Sequence, residues 1–336
     1  MYAIYVNNLK KMFPNEIVAV NSVSFNVEEG EIFGMLGPNG AGKTTTIRMI
    51  TTLTKPTSGD VTVLGVNAVK NPSQVRRMLG YVPQAVSVDG DLSAYENLLI
   101  FSKLFHVERN TRKKLISEAL AYMGLTDREN DLVKHFSGGM MRRLEIAQAL
   151  VNRPKILFLD EPSIGLDPTS KRQGWEYIKR LNQEFGVTIF ITTHDMVEAD
   201  ELCDRVAIMN RGQIAVLGTP SELKSSISGD LVTLELSTQA KNLILPREIG
   251  SIVSSPTGED GDSILRIQVD SAEHAIPKVM DFFSRSGLCI ESISFSKPNL
   301  DDVFTKYTKA TLTEDQGKAL YKEARSTRRS FARHSG

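Results

Sequence analysis

Two textures of apolar residues divide the chain. Up to about residue 224, short apolar runs such as Ile156–Leu159 and Val187–Ile191 are bounded by proline, glycine or charge. Unbroken runs of this kind predict strands buried on both faces, as in a parallel sheet covered by helices. Glu31–Leu36 predicts another strand and Thr45–Thr51 a helix. Residues 92–123, rich in Leu, Lys and Glu, predict a helical insertion that closes near Gly124. Ser225–Gly229 reads as a linker. Beyond it the pattern alternates. Val232, Leu234 and Leu236 are interleaved with Thr233, Glu235 and Ser237; Leu265, Ile267 and Val269 with Arg266, Gln268 and Asp270; Ile293 and Phe295 with serines. Period-two alternation predicts strands with one wet face. A helix is expected over Pro277–Arg285, with proline at its first position and Gly287 after its end. A second follows Asn299, with Asp301 and Asp302 in its first turn. Residues 230–308 therefore predict a small α+β domain.

Composition narrows the classes of function. Forty Lys and Arg balance forty Asp and Glu. The basic excess of a protein that grips nucleic acid is missing, and no nucleic-acid partner is expected. No apolar run reaches the roughly 18 residues that span a bilayer, and Met1–Lys10 lacks a signal-peptide core. The chain is expected to be soluble by itself, with any membrane crossing left to another chain. Cys203 and Cys289 have no CxxC or metal-like spacing. Both read as small buried hydrophobes in a reducing compartment. Lys318–Gly336 holds six Lys or Arg against one acid. It reads as a solvated basic tail within 309–336, with anionic lipid headgroups as its functional alternative.

The strongest chemical signal is Gly37-Pro38-Asn39-Gly40-Ala41-Gly42-Lys43-Thr44. It matches GxxxxGK[ST] between a predicted strand and a predicted helix. Glycines let backbone N–H groups converge on phosphate oxygens, and the helix that follows aims its positive end at the same anion. Lys43 would reach the β and γ phosphates and Thr44 would hold Mg²⁺. Asp160 and Glu161 follow the buried run Ile156–Leu159, at the edge of a parallel sheet where ligands bind. Asp160 would hold the metal, through water, leaving Glu161 to orient or deprotonate the attacking water. His194 ends the strand starting at Val187 and is placed for a γ-phosphate hydrogen bond. Gln84, after Leu79–Pro83, could reach metal or water. Trp175 reads as packing.

Phe136-Ser137-Gly138-Gly139-Met140 stands about twenty residues before the Asp160–Glu161 strand. This segment resembles the signature of ABC ATPases, with Phe136 in place of the usual Leu and Met140 in place of Gln. Ser163–Asp167 resembles their D-loop, Gln84 their Q-loop and His194 their H-loop. Phe13 stands where that family has an adenine-stacking aromatic. The variant FSGGM and a C-terminal domain ending Pro298–Phe304 resemble the ATPase subunits of daunorubicin-type drug-resistance exporters. The resemblance implies an α/β P-loop NTPase core at 1–224. That core carries an antiparallel β subdomain and a helical subdomain at about 88–152, with the accessory domain following at 230–308. It implies ATP and Mg²⁺ as cofactors, contacted by residues 37–45 (Thr45 included) and Asp160. It further implies a head-to-tail pair of subunits, with Ser137, Gly138 and Gly139 reaching the other subunit's ATP and Asp167 coupling the two. The function so implied is ATP hydrolysis that drives a separate transmembrane permease, in export, from the cytoplasmic face of the membrane. The alternative is a soluble ABC ATPase acting in DNA repair or translation. Against it stand a single cassette, no heptads and no cysteine clusters.

Overall fold

The structure is a computed structural model that describes residues 1–227, 229–237, 245–246, 249–254, 264–286 and 288–308. Ser228, Gly287 and the tail at 309–336 lie outside the described residues. The elements run β1 (Tyr2–Met12), β2 (Val18–Glu28), β3 (Ile32–Leu36), α1 (Lys43–Ile50), β4 (Ser58–Val63), β5 (Val66–Asn67), α2 (Pro72–Arg77) and β6 (Leu79–Val82). Then come α3 (Ala94–Leu104), α4 (Arg109–Tyr122), α5 (Gly138–Leu150), β7 (Ile156–Asp160), α6 (Pro168–Phe185), β8 (Thr188–Thr193), α7 (Met196–Leu202), β9 (Arg205–Asn210) and β10 (Gln213–Gly218). The remainder is α8 (Pro220–Ser225), β11 (Asp230–Leu236), β12 (Ser251–Ser254), β13 (Ile264–Val269), α9 (Ala272–Arg285), β14 (Ile290–Ser296) and α10 (Leu300–Thr308). Two compact units divide between Pro220 and Ser221, a few residues ahead of the linker expected at 225–229.

The first unit is built on a six-stranded sheet ordered β10-β9-β3-β8-β7-β6, parallel except for β10. Every residue of β3, β7 and β8 is buried, as unbroken apolar runs require. Three phenylalanines align across them. Phe33 pairs with Phe190, and Phe158 with Phe190, with ring centroids 5.4 Å apart in each pair. Phe25 of β2 stacks on Phe33 at 5.3 Å. That contact joins a second, antiparallel sheet, β2-β1-β4-β5, to the same core. With the rings aligned, Leu36 pairs with Thr193 and Asp160 with Thr192. The C-terminal ends of β3, β7 and β8 thus finish at one level, and the loops that follow them open on one edge.

The helical insertion expected over 92–123 forms as two helices, α3 and α4. Ser93 caps α3 in a reciprocal capping box with Glu96. Gly124 ends the insertion in the left-handed region, at φ 64°.

The second unit is an antiparallel sheet, β12-β13-β11-β14, packed on α9. Val232, Leu234, Leu236, Leu265, Ile267 and Val269 face Ala275, Val279 and Phe283. The helix expected from Pro277 starts five residues earlier, at Ala272, with Pro277 inside it. Proline removes one backbone donor there, and the helix buries Ala272, Ala275, Val279 and Phe283. Strand β12 was not foreseen, because Ser251–Ser254 is too short to show alternation. The helix after Asn299 forms as expected. Cys203 is buried, but Cys289 is exposed, so the expectation of two buried thiols holds for one.

Candidate functional site

The loop after β3 wraps back on the start of helix α1. A Cβ on Gly37 would stand 2.2 Å from the Met209 carbonyl oxygen. One on Gly42, at φ 108°, would stand 2.5 Å from that of Ala19. Only glycine permits both approaches. Asn39 and Gly40 form the exposed tip, Pro38 and Gly42 are half-buried, and Ala41 is buried. The Lys43 ammonium donates to the carbonyls of Gly37 at 2.7 Å and Pro38 at 3.2 Å. It lies 3.0 Å from Glu161 Oε1, with both side chains 5% exposed. Thr44 and Thr45 are half-buried on the first turn of α1.

Two carboxylates meet this loop from the end of β7. The Thr44 hydroxyl donates to Asp160 Oδ1 at 3.0 Å, and the Thr192 hydroxyl donates to the same atom at 2.6 Å. Asp160 Oδ2 is buried without a hydrogen-bond partner among the described residues. A buried carboxylate oxygen left open beside a hydroxyl is a donor set for a hard cation. Glu161 lies between the Lys43 ammonium and His194, whose Nδ1 is 2.6 Å from Glu161 Oε2. Burial pulls the Glu161 carboxyl up, but the His194 hydrogen bond and the Lys43 charge outweigh it and set it below its ordinary value. The same hydrogen bond, opposed by burial, raises His194. The Glu161 backbone is left-handed, at φ 51°, which for this residue type costs about 1–3 kcal/mol. Its N–H holds that turn by donating to Thr192 O at 3.0 Å and Thr192 Oγ1 at 3.1 Å.

Other expected residues fall outside this cluster of contacts. Gln84 is exposed on the loop after β6. Phe13 is 40% exposed, with the Lys11 ammonium 5.1 Å from its ring centre. Ser137 caps α5 by accepting from Met140 N at 3.2 Å; Ser137 and Gly138 are exposed and Gly139 is buried. Asp167 caps α6, accepting from Thr169 N and Ser170 N at 3.0 Å each. Its hydrogen bonds from the Ser170 side chain and backbone lower its carboxyl.

Sequence reasoning missed the roles of Arg142 and Glu198, both buried, and of the half-buried Trp175. Trp175 is more than packing, because its indole N–H donates to Glu198 Oε1 at 2.9 Å and to Ser163 Oγ at 3.1 Å. Ser163 also donates to Glu198. Arg142 touches both the end of β7 and the loop after β6. These partners lie 12 to 59 residues apart in sequence, so no local pattern could have revealed them.

Comparison with known proteins agrees with the geometry. Residues 20–164 match the family model described as ABC transporter, and 218–308 match that of the ATP-binding protein DrrA1-3-like, C-terminal domain. The chain is 34% identical to the linearmycin resistance ATP-binding protein of Bacillus subtilis, over 93% of this chain and 100% of that one. It is 36% identical to the daunorubicin/doxorubicin resistance ATP-binding protein of Streptomyces peucetius, over 91% and 92%. It is 40% identical to the Nod factor export ATP-binding protein I of Burkholderia lata, over 68% and 74%. Among solved structures it resembles cbiO1 of Clostridium perfringens, part of the ABC transporter complex cbiONQ. That match has a TM-score of 0.63 at 28% identity, over 67% of this chain and 91% of that one. It also resembles a dimeric ATP-binding cassette in a post-hydrolysis state with ADP and Pi, with a TM-score of 0.58 at 30% identity, over 64% and 98%. The chain belongs to the ATP-binding proteins of ABC transporters, and its activity is the hydrolysis of ATP.

Proposed function

We propose that this chain is the ATP-hydrolysing subunit of an exporter, working as a head-to-tail pair on a separate membrane-spanning partner. The observation that carries the catalytic part is the run Lys43–Glu161–His194, with Asp160 and Thr44 beside it, at one edge of a parallel sheet. Lys43 and the amides of residues 37–45 bind the phosphates. Glu161 aligns the attacking water and accepts its proton, and His194 hydrogen-bonds the γ phosphate. Thr44 and Asp160 fit Mg²⁺, which when bound neutralises phosphate charge as the γ-phosphoryl leaves. Gln84 would reach the metal or the attacking water from the loop after β6. Ser137, Gly138 and Gly139 present a helix start to the other subunit's ATP, Asp167 couples the pair, and Phe13 stacks on adenine.

Export is supported by three relatives whose names specify resistance or export. No described helix is long and apolar enough to cross a membrane, which fits peripheral attachment to a permease at the cytoplasmic face. ATP does work here by binding the closed pair more tightly than the open one.

Glu161→Gln should lower steady-state hydrolysis by about 100-fold or more while ATP binding persists. In gel filtration with ATP that variant should run as a dimer. Normal turnover would remove Glu161 from its role. Affinity capture from detergent-solubilised membranes of the source cell should recover a multi-span protein. Recovery of ribosomes or DNA alone would favour a soluble ABC ATPase instead.

A further inference from the structure

We infer that Arg142 is a positioning residue for Glu161. Together with Glu145, it ties the loop that carries Gln84 and the end of β7 to the helix that begins at Ser137. The inference rests on the reading of Glu161 as the carboxylate that aligns water.

Arg142 is 8% exposed on α5, five residues beyond the helix cap. Its guanidinium carries five N–H donors in a rigid plane, and five acceptors meet them. Nε donates to Pro162 O at 3.0 Å. One terminal nitrogen donates to Asp160 O at 2.9 Å and Glu161 O at 3.2 Å. The other donates to Pro83 O at 2.7 Å and Glu145 Oε2 at 2.9 Å. Three consecutive carbonyls of the turn that carries Glu161 are therefore held by one side chain. Glu161 is the residue of that turn with a left-handed backbone. Thr192 holds its N–H side and Arg142 its C=O side. Losing either hold lets the turn relax toward the unstrained region and swings the carboxylate.

Glu145 extends the tie. It is 3% exposed and neutralises Arg142. Its other oxygen accepts from Ser87 N at 2.6 Å and from Ser87 Oγ at 2.9 Å. Loop 83–87 is thus fastened to α5 at both ends, by Pro83 O and by Ser87, with Gln84 between them. A buried ion pair adds little net stability by itself, so its role lies in geometry. Lysine would keep the charge, but its three donors radiate from one point and cannot reach carbonyls on both sides.

The test compares Arg142→Lys with the unaltered chain in ATP hydrolysis and in equilibrium binding of a fluorescent ATP analogue. A misplaced catalytic group costs up to about 100-fold, so kcat should fall about 10- to 100-fold. KM and the nucleotide Kd should stay within about threefold. In a Glu161→Gln background, Arg142→Lys should change the residual single-turnover rate by less than about twofold, because residues acting as a unit are not additive. Arg143→Lys is the control. Arg143 donates to Met123 O at 3.0 Å and lies over the Tyr177 ring, so kcat should hold within about twofold. Unchanged kcat in Arg142→Lys, parallel loss of binding and turnover, or losses that multiply in the Glu161→Gln background would each overturn the inference. If Arg142→Lys does not fold, Glu145→Gln carries the same expectation, a kcat loss with Kd retained. Normal hydrolysis by Glu161→Gln alone would instead mark failure of the underlying reading of Glu161.

Discussion

Glu161 shows how one residue can be pushed in opposite directions by its surroundings. Burial disfavours its charge, while Lys43 and His194 favour it and prevail. The sign of each partner's shift gives a pH window. His194 is raised from 6.5, so its stabilising share is complete below about 6.5 and is lost as pH rises through the raised value. Glu161 is lowered from 4.5, so its share is complete above about 4.5 and is lost as pH falls through the depressed value. The pair is fully charged between those limits. The melting temperature of the intact chain should exceed that of His194→Ala most at about pH 5.5–6, with the gap closing as pH rises through the raised His194 value; a gap independent of pH would contradict the pairing. Cysteine reactivity is a second test at this scale. Cys203 is 7% exposed, and burial pushes its thiol well up, which leaves little thiolate to react. Cys289 is exposed. A thiol reagent at pH 8 should label one site quickly and the second only after denaturant is added.

At the scale of elements, the edge that carries the candidate site depends on strand register. One residue of slip in β8 would carry Thr192 and Thr193 to the opposite faces and part Thr192 from Asp160. Phe190 prevents this by packing against Phe25, Phe33 and Phe158 together. Phe190→Ala should cost about 3–5 kcal/mol of unfolding free energy, read by denaturant titration. It should also weaken ATP hydrolysis, although Phe190 lies inside the strand and not at its C-terminal end. A cost below about 1 kcal/mol would show that the ring does not set the register. Helix α6 makes a related point. Asp167 caps its start, and Trp175, two turns on, reaches Glu198 and Ser163, so the helix is anchored at two levels.

At the scale of the molecule, two compact units each carry their own apolar core. Separate cores predict separable unfolding. Calorimetry should resolve two transitions, with Phe283→Ala lowering only one. Phe283 is fully buried in the second core, so truncation there should cost that unit about 3–5 kcal/mol. A single transition shifted as a whole would refute the separation.

The sequence by itself determined the residues whose chemistry is local. The glycine-rich loop at 37–44, the acid pair at the end of β7 and the alternation of β11 and β13 are written within a few neighbouring positions. Spacing along a strand, loop or helix turn sets their geometry. Tertiary structure alone decided what depends on distant segments meeting. Arg142 was unremarked because its acceptors come from residues 83, 145 and 160–162. Trp175 read as packing because Glu198 lies 23 residues away. Helix α9 runs through Pro277, with a buried face assembled only against the sheet. Burial and long-range hydrogen bonding are properties of the folded chain, and no window of sequence contains them.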